Sequence, residues 1–191
     1  VRAVLLARGG IEPYGDEVMR KARALGLTVG ELRARCDTFE DYFHAVEEHR
    51  GEDILNIRFH CPQEFLRVIY RAADAVLANS SHEPFGLVAL EAMAAGGIAF
   101  VGSSGEDYAI PLRNSIVLET SDPEEVEDRV MYLAANPAEA ERIRLAARET
   151  ARLFTWEEVI KTLIHKLEYQ ARVQEVLALP VRPSVPDESR D

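Results

Sequence analysis

Short apolar runs alternate along the chain with stretches whose apolar residues recur at i, i+3, i+4 and i+7, the spacing of one helix face. Phe39, Tyr42, Phe43 and Val46 are an example. This alternation predicts a parallel α/β sheet. The predicted strands cover 1–7, 54–59, 75–78, 98–101 and 115–118, and the predicted helices cover 16–25, 38–49, 64–73, 87–95, 122–133, 137–154 and 155–179. Residues 27–30 are too short a run to assign.

One stretch stands out because it is almost without charge. From Pro84 to Gly105 the only formally charged residue is Glu91, and the residues around it are apolar on nearly every face of a helix. Such a helix is expected to be buried together with its carboxylate. A buried carboxylate needs hydrogen-bond donors, from its neighbours or from a ligand. The stretch is therefore the first place to look for a site.

Polar and glycine-rich loops follow the predicted strands. In a parallel sheet the loops that leave the carboxyl ends of the strands meet at one edge, where open α/β sheets bind ligands. Gly86 marks the start of the predicted helix 87–95, so free backbone N–H groups of its first turn and the positive end of the helix dipole face that edge. We expect an anion site there, with phosphate as the natural ligand. The converging segments are 8–10, 60–62, 80–86 and 102–108.

Charge and composition narrow the function classes. The chain has 22 Lys and Arg against 33 Asp and Glu, a formal net charge of −11, which opposes binding to nucleic acid. Two isolated cysteines, Cys36 and Cys61, fit a reducing compartment, so a cytoplasmic location is expected. No apolar run is long enough to span a bilayer, although peripheral membrane association of a longer protein stays open. His60 and His82 lack partners at metal-ligand spacing, so no metal site is expected.

The chain starts without Met and directly with a predicted strand, which suggests a piece of a longer polypeptide. We expect one domain over 1–179 and a disordered tail over 180–191, where prolines and mixed charges accumulate. Trp156 and the aromatic stripe around Tyr42 are expected to pack in the core or against another domain.

Glu83 and Glu91 are eight positions apart, an E-x7-E spacing. If Glu91 lies about two turns into the helix, the Cα atoms of the two glutamates are roughly 12 Å apart. That distance suits two groups that contact different parts of one extended ligand. It fits less well with a glycosidase pair, whose carboxyls stand roughly 5–9.5 Å apart.

The residues around Glu83 and Glu91 resemble those of a known enzyme family. Residues 83–96, preceded by 70–74 and followed by Gly105-Glu106, closely resemble the donor-binding half of the retaining GT-B glycosyltransferases of the group 1 type. The resemblance covers about 1–169, where Thr155-Trp156 and Tyr169 look like the family's closing helix. It implies a Rossmann-like domain, a parallel sheet with helices on both faces, that forms one half of a GT-B enzyme.

The resemblance also implies roles for single residues. Glu83 matches the family's first glutamate, a catalytic residue close to the anomeric carbon of the donor sugar. Phe85, Gly86 and Leu87 match the backbone N–H groups that hold the sugar hydroxyls and the diphosphate. Glu91 matches the glutamate that accepts hydrogen bonds from the ribose, and Gly105 completes the donor-binding set.

The implied reaction transfers the sugar of a nucleotide-diphosphate sugar, with retention, to a sugar, polysaccharide or lipid acceptor. No cofactor and no metal are implied. The implied partner is an N-terminal Rossmann domain of the same full-length protein. The family's Arg and Lys, about five residues apart before the first strand seen here, have no counterpart, because Arg8 and Lys21 are not so spaced. The chain by itself is therefore expected to be inactive.

Alternatives remain at this stage. Glu91 could be a buried carboxylate bound by the backbone of Ser103-Ser104, and Glu83 a charge at a helix terminus. A nucleotide-sugar epimerase on the same fold would not need Phe-Gly-Leu between the two glutamates. A phosphorylase-like enzyme would need a lysine for pyridoxal phosphate, and none lies between Glu83 and Gly105. A non-catalytic sugar-nucleotide sensor would need neither an acceptor nor a partner domain.

Overall fold

The computed structural model describes residues 3–6, 14–33, 36–58, 61–80, 83–102 and 107–174. The strands in these ranges are β1 Ala3–Leu6, β2 Val29–Leu32, β3 Ile54–Ile57, β4 Val76–Ala78, β5 Ala99–Val101 and β6 Ile116–Val117. The helices are α1 Tyr14–Ala24, α2 Phe39–Glu48, α3 Gln63–Ala72, α4 Leu87–Ala95, α5 Pro123–Ala135, α6 Pro137–Ala151 and α7 Trp156–Val173. A 3₁₀ turn, Arg152–Phe154, joins α6 to α7.

The strands form two three-stranded sheets in the orders β1-β3-β2 and β4-β5-β6. All four strand pairs are parallel. Leu55 of β3 is paired with Val4 of β1 and with Gly30 of β2. Because parallel neighbours are joined by crossovers, most helices connect one strand to the next.

Helices cover both faces of the sheets. Successive side chains of a strand point to opposite faces, and β5 shows this alternation directly. Ala99 and Val101 pack in the cluster that contains α3 and α4, whereas Phe100 packs with Leu133 of α5 and Ile143 of α6. The predicted fold class, a parallel α/β arrangement with helices on both faces, is confirmed.

One core joins the two sheets. Leu55 and Ile57 of β3 belong to the same buried cluster as Val101 of β5, together with Phe65 of α3 and Met93 of α4. The aromatic stripe of α2 joins this core, since Tyr42 is buried and its ring centroid lies 4.8 Å from that of Phe65. The prediction is confirmed for Tyr42 and for Phe43, which packs against this core, whereas Phe39 is 40% exposed. Trp156, by contrast, is 81% exposed, so a place for it in the core of the described residues is wrong.

The largest differences from the predicted element boundaries are in three places. The unassigned run at 27–30 begins β2, because Val29–Leu32 gains a hydrogen-bonded partner in β3. The helix predicted over 137–154 ends at Ala151 and tightens into the 3₁₀ turn. The last helix ends at Val173 instead of 179. The predicted disordered tail, 180–191, lies outside the described residues.

Both ends of α4 are glycines in the left-handed region, Gly86 with φ 78° and Gly96 with φ 81°, where residues with a Cβ are strained. Beyond the carboxyl end of α4, Arg144 of α6 donates to the carbonyls of Gly96 at 2.9 Å and Ala73 at 3.1 Å. Burial lowers the pKa of the Arg144 guanidinium, and the neighbouring Arg71 lowers it further. The cation therefore lies at the end of α4 where the helix dipole is negative.

No helix in the described ranges combines the length and the apolar character that crossing a membrane requires.

Candidate functional site

The first residues after β4 and β5 lie against each other at the carboxyl edge of their sheet. Ala78 of β4 is paired with Val101 of β5, so the chain leaves both strands at the same level. A Cβ added to Gly102 would lie 2.9 Å from the carbonyl oxygen of Ser80. The glycine permits this close approach of two backbones, and it confirms the predicted convergence of segments 80–86 and 102–108 at their first residues.

The segment after Ser80 leads to the open amino end of α4. Gly86 is the N-cap residue, and no side chain caps the helix there. Leu90 N–H donates to the Gly86 carbonyl at 3.2 Å as the first helical hydrogen bond, so the N–H groups of Leu87, Val88 and Ala89 precede the helical ladder. Leu87 is 62% exposed. This end of the helix has the geometry and the partial positive charge that suit an anion.

The exposed first turn corrects the prediction of a fully buried helix. The contacts of α4 with α3, α6, β4 and β5 bury Ala89, Leu90, Ala92 and Met93. They do not cover Leu87 and Val88, because the first turn extends beyond the helices and strands that bury the rest of α4. The apolar residues of α4 are therefore buried over its later turns, while those of its first turn are exposed.

The two glutamates lie at different depths. Glu83 is half-buried and lies before the helix, four positions from Leu87. Glu91 is the fifth residue of α4 and is half-buried, with its Oε2 atom enclosed by protein. The prediction that Glu91 lies about two turns into the helix is therefore wrong. Glu91 lies little more than one turn from the helix start, and Glu83 lies outside the helix. Glu83 is next to the open end of α4, and Glu91 lies deeper.

Three aromatic rings support the turn at Gly86, between Glu83 and Glu91. The ring centroids of Phe85, Tyr108 and Phe154 are 5.5 to 5.7 Å apart in all three pairs, distances typical of favourable aromatic pairs. Tyr108 is buried, whereas Phe85 is 41% exposed. The Tyr108 hydroxyl donates to the Gly86 carbonyl at 2.5 Å. This support could not be predicted from the sequence, because it joins residues that are far apart in the chain.

Of the predicted site residues, Glu83, Phe85, Gly86, Leu87 and Glu91 lie together at the amino end and first turns of α4. Gly105 lies outside the described residues, and so do Arg8, His60, His82 and Ser103-Ser104, on which other parts of the sequence interpretation depended. Within the described ranges, no three His, Cys, Asp or Glu side chains lie together in a metal-binding arrangement. The absence of a metal requirement stays a prediction.

A cavity of about 620 Å³ lies where the chain leaves β2 and β3, between the starts of α2 and α3. It was not predicted from the sequence. Since it lies at the carboxyl end of its strands, it is the other place in the described chain where a ligand of an α/β sheet would be sought. Its lining residues are Cys36, Asp37, Thr38, Phe39, Tyr42, Pro62 and Glu64.

A comparison with protein families gives one match. The sequence model of the family described as glycosyl transferases group 1 matches residues 36–150. This region contains the whole segment from Glu83 to Glu91, the packed rings of Phe85 and Tyr108, and most of α6.

Individual relatives agree with this match. A D-inositol 3-phosphate glycosyltransferase of Saccharomonospora viridis is 28% identical over 168 residues, which cover 85% of this chain and 34% of that protein. The chain thus spans about a third of the length of this curated relative.

Solved structures show the same fold. Sucrose-phosphate synthase from Thermosynechococcus elongatus superposes with a TM-score of 0.59 at 28% identity, over 91% of this chain and 46% of that chain. Anabaena HepE in complex with UDP-glucose superposes with a TM-score of 0.59 over 87% of this chain and 48% of that chain, at 16% identity, which shows likeness of fold alone.

Proposed function

This chain belongs to the group 1 glycosyltransferases, and we propose that it is the donor-binding half of such an enzyme. It binds a nucleotide-diphosphate sugar at the amino end of α4, and the full-length protein transfers the sugar with retention of configuration to a sugar, polysaccharide or lipid hydroxyl. The observation that carries the proposal is the open first turn of α4, with Glu83 before it and Glu91 just over one turn inside it.

Each part of the donor has a matching part of the site. The diphosphate lies against the N–H groups of Gly86 and Leu87, where the helix dipole favours negative charge. The ribose hydroxyls donate to the carboxylate of Glu91, whose Oε2 atom is already shielded from solvent. Glu83, outside the helix, contacts the sugar near its anomeric carbon. The UDP-glucose bound by the Anabaena protein, which has this fold, supports a ligand of this class.

In the proposed reaction, the bond between the anomeric carbon and the diphosphate oxygen breaks as the acceptor oxygen attacks from the same face of the sugar. The departing phosphate takes the acceptor's proton, so no further reactant is needed. The residues of this chain act by positioning the donor and stabilising the charge that develops on the diphosphate. No cofactor and no metal enter the proposal.

We also propose that a second, N-terminal Rossmann domain completes the acceptor side of the cleft. Two observations support it. The chain spans 34% of the length of its inositol-phosphate relative, and α7 has no buried residue while it exposes an apolar stripe. The stripe consists of Trp156, Val159, Ile160, Leu163, Ile164 and Leu167. Without that domain, the chain alone is expected to be inactive.

Calorimetry of the full-length protein with UDP, GDP and ADP sugars tests the donor site. Glu91→Gln keeps the size of the side chain but removes the charge that accepts the ribose hydroxyls. Loss of a charge-assisted hydrogen bond is expected to weaken the binding of the donor by about tenfold or more.

Glu127→Gln, an exposed glutamate of α5, is the matched control and is expected to leave the affinity unchanged. Absence of binding to every nucleotide sugar by the wild-type protein would show that the proposed function is wrong. Equal affinities of the wild type and Glu91→Gln would show that Glu91 does not contact the ribose.

A further inference from the structure

We propose that Tyr108 is a positioning residue for the diphosphate of the donor, because its hydroxyl orients the Gly86–Leu87 peptide. This inference rests on the proposed function. It concerns a residue outside the segment from Glu83 to Glu91, and Tyr108 itself does not contact the donor.

The first step of the argument is the peptide bond itself. The carbonyl of Gly86 and the N–H of Leu87 belong to one planar unit, and in a trans peptide they point in opposite directions. The peptide bonds in the described chain are trans. Whatever fixes the direction of the Gly86 carbonyl therefore fixes the direction of the Leu87 N–H, which points out of the open end of α4.

Two donors fix that carbonyl. Leu90 N–H reaches it at 3.2 Å, a long helical bond, and the Tyr108 hydroxyl reaches it at 2.5 Å. The helical bond alone is a weak restraint, because Gly86 is a glycine in the left-handed region and has no side-chain cap. The hydroxyl of Tyr108 is therefore the stronger restraint on the peptide.

Tyr108 can supply this restraint because it is itself held in place. Its ring is buried between Phe85 and Phe154, with centroids 5.6 and 5.5 Å away. Its carbonyl accepts from Asn114 Nδ2 at 2.8 Å. Asn114 Nδ2 also donates to the hydroxyl of Thr150 in α6 at 2.9 Å. The orientation of Tyr108 is thus fixed by α6, and Gly86 is oriented by Tyr108.

The phosphate contact and the nucleoside contact should then separate in a binding experiment. The Leu87 N–H faces the diphosphate, whereas Glu91 faces the ribose one turn deeper. Loss of the Tyr108 hydroxyl should weaken the contribution of the terminal phosphate and leave the nucleoside contribution intact. A merely structural role would lower the melting temperature without changing the ratio between the two.

The test compares UDP, GDP and ADP with the corresponding monophosphates in calorimetry of the full-length protein. For the nucleotide that binds, Tyr108→Phe keeps the ring packing and removes only the hydroxyl. We expect it to lower the preference for the diphosphate over the monophosphate by roughly tenfold. Tyr132→Phe, an exposed tyrosine of α5, is expected to leave the preference unchanged.

A second variant keeps the hydroxyl and tests the same contact. Replacement of Tyr108 by 3,5-difluorotyrosine places at this position a phenol that ionises near neutral pH. As the pH rises, the phenolate can no longer donate to the Gly86 carbonyl. Relative to the wild type at the same pH, the preference of this variant for the diphosphate is therefore expected to fall as the pH rises.

The outcomes distinguish the two proposals. The role of Tyr108 is wrong, and the proposed function stands, if the wild type binds a nucleotide and Tyr108→Phe has the same preference for the diphosphate. The same conclusion follows if the preference of the fluorinated variant follows that of the wild type at every pH. If the wild type binds no nucleotide, the proposed function is wrong, and the role of Tyr108 falls with it.

Discussion

Gly86 connects the backbone conformation of the chain to its chemistry. Its positive φ of 78° turns the chain into α4 without a side-chain cap, so the first N–H groups of the helix stay available to a ligand. A residue with a side-chain oxygen at this position would satisfy one of those N–H groups itself. A glycine N-cap therefore favours ligand binding at the expense of helix stability.

Asn114 is the residue on which the packing of the turn against α6 depends most. It is 1% exposed, and its side chain also accepts from the N–H of Ile110 at 2.7 Å. Asn114→Ala leaves the Ile110 N–H and the Tyr108 carbonyl without this partner, and it is expected to lower the free energy of unfolding by about 2 kcal/mol or more. Urea denaturation measures the change.

The control for this prediction is Asn136→Ala. Asn136 is exposed and donates to the carbonyl of Tyr132 at 2.8 Å, so its loss is expected to cost no more than about 1 kcal/mol. Equal losses in the two variants would contradict the account of Asn114 as a buried connection.

At the residue scale, the sequence predicts local clusters and misses distant contacts. Glu83, Phe85, Gly86, Leu87 and Glu91 could be predicted as a group, because they lie within nine consecutive residues and their spacing is specific. The support around Tyr108 could not be predicted. Its hydrogen bond to Gly86 joins residues 22 positions apart, and the bond from Asn114 to Thr150 joins residues 36 positions apart, separations that no periodic pattern reports.

At the scale of elements, long-range pairing decides what short runs become. The prediction left 27–30 unassigned because the run is too short to read as a strand by itself. Pairing with β3 makes Val29–Leu32 a strand all the same. A Cβ on Gly30 would lie 2.6 Å from the ring of His49, so a side chain at this position of β2 would have to displace that ring.

The starts of β2 and β3 are joined by a carboxylate. Asp53 accepts from the N–H of Thr28 at 2.8 Å and from its hydroxyl at 2.7 Å. These hydrogen bonds, the backbone N–H first, hold the pKa of the Asp53 carboxyl below its ordinary value of 3.8. Between the folded and the unfolded pKa, the unfolded chain binds more protons, so the free energy of unfolding rises with pH through that window.

The stabilisation from Asp53 should therefore be complete above the ordinary aspartate pKa of 3.8 and be lost as the pH falls through the lower folded value. Asp53→Asn removes the ionised carboxylate. The difference in unfolding free energy between the wild type and this variant, measured in urea over a pH series, is expected to be largest near neutral pH and to shrink in acid. Asp128→Asn, an exposed aspartate of α5, serves as the control, and a difference independent of pH would contradict the role of Asp53.

At the scale of the whole molecule, α7 stands apart because it is the α-helix of the described residues that has no buried residue. The capping-box pattern that starts at Thr155 allowed the helix to be predicted, but nothing in the sequence showed that the described residues would leave its apolar face uncovered. Leu163 is 52% exposed and Leu167 is 59% exposed. An exposed apolar stripe of this length is typical of a surface that packs against another domain.

The second domain proposed for the full-length protein is expected to cover this stripe. The double substitution Leu163→Asp and Leu167→Asp should lower the melting temperature of the full-length protein and reduce its transfer activity, because charges would enter a buried contact. Thr162→Asp with His165→Asp places the same charges on the polar face and should have little effect. Equal effects of the two pairs would contradict docking on the apolar face.

The central claim, that the amino end of α4 holds the diphosphate of a nucleotide sugar, is tested most directly by a crystal structure of the full-length protein with the nucleoside diphosphate that binds in calorimetry. We expect a phosphate oxygen about 3 Å from the backbone nitrogen of Leu87 and the ribose hydroxyls at the carboxylate of Glu91. A nucleotide bound instead in the cavity beside Tyr42 and Pro62, away from α4, would contradict the account.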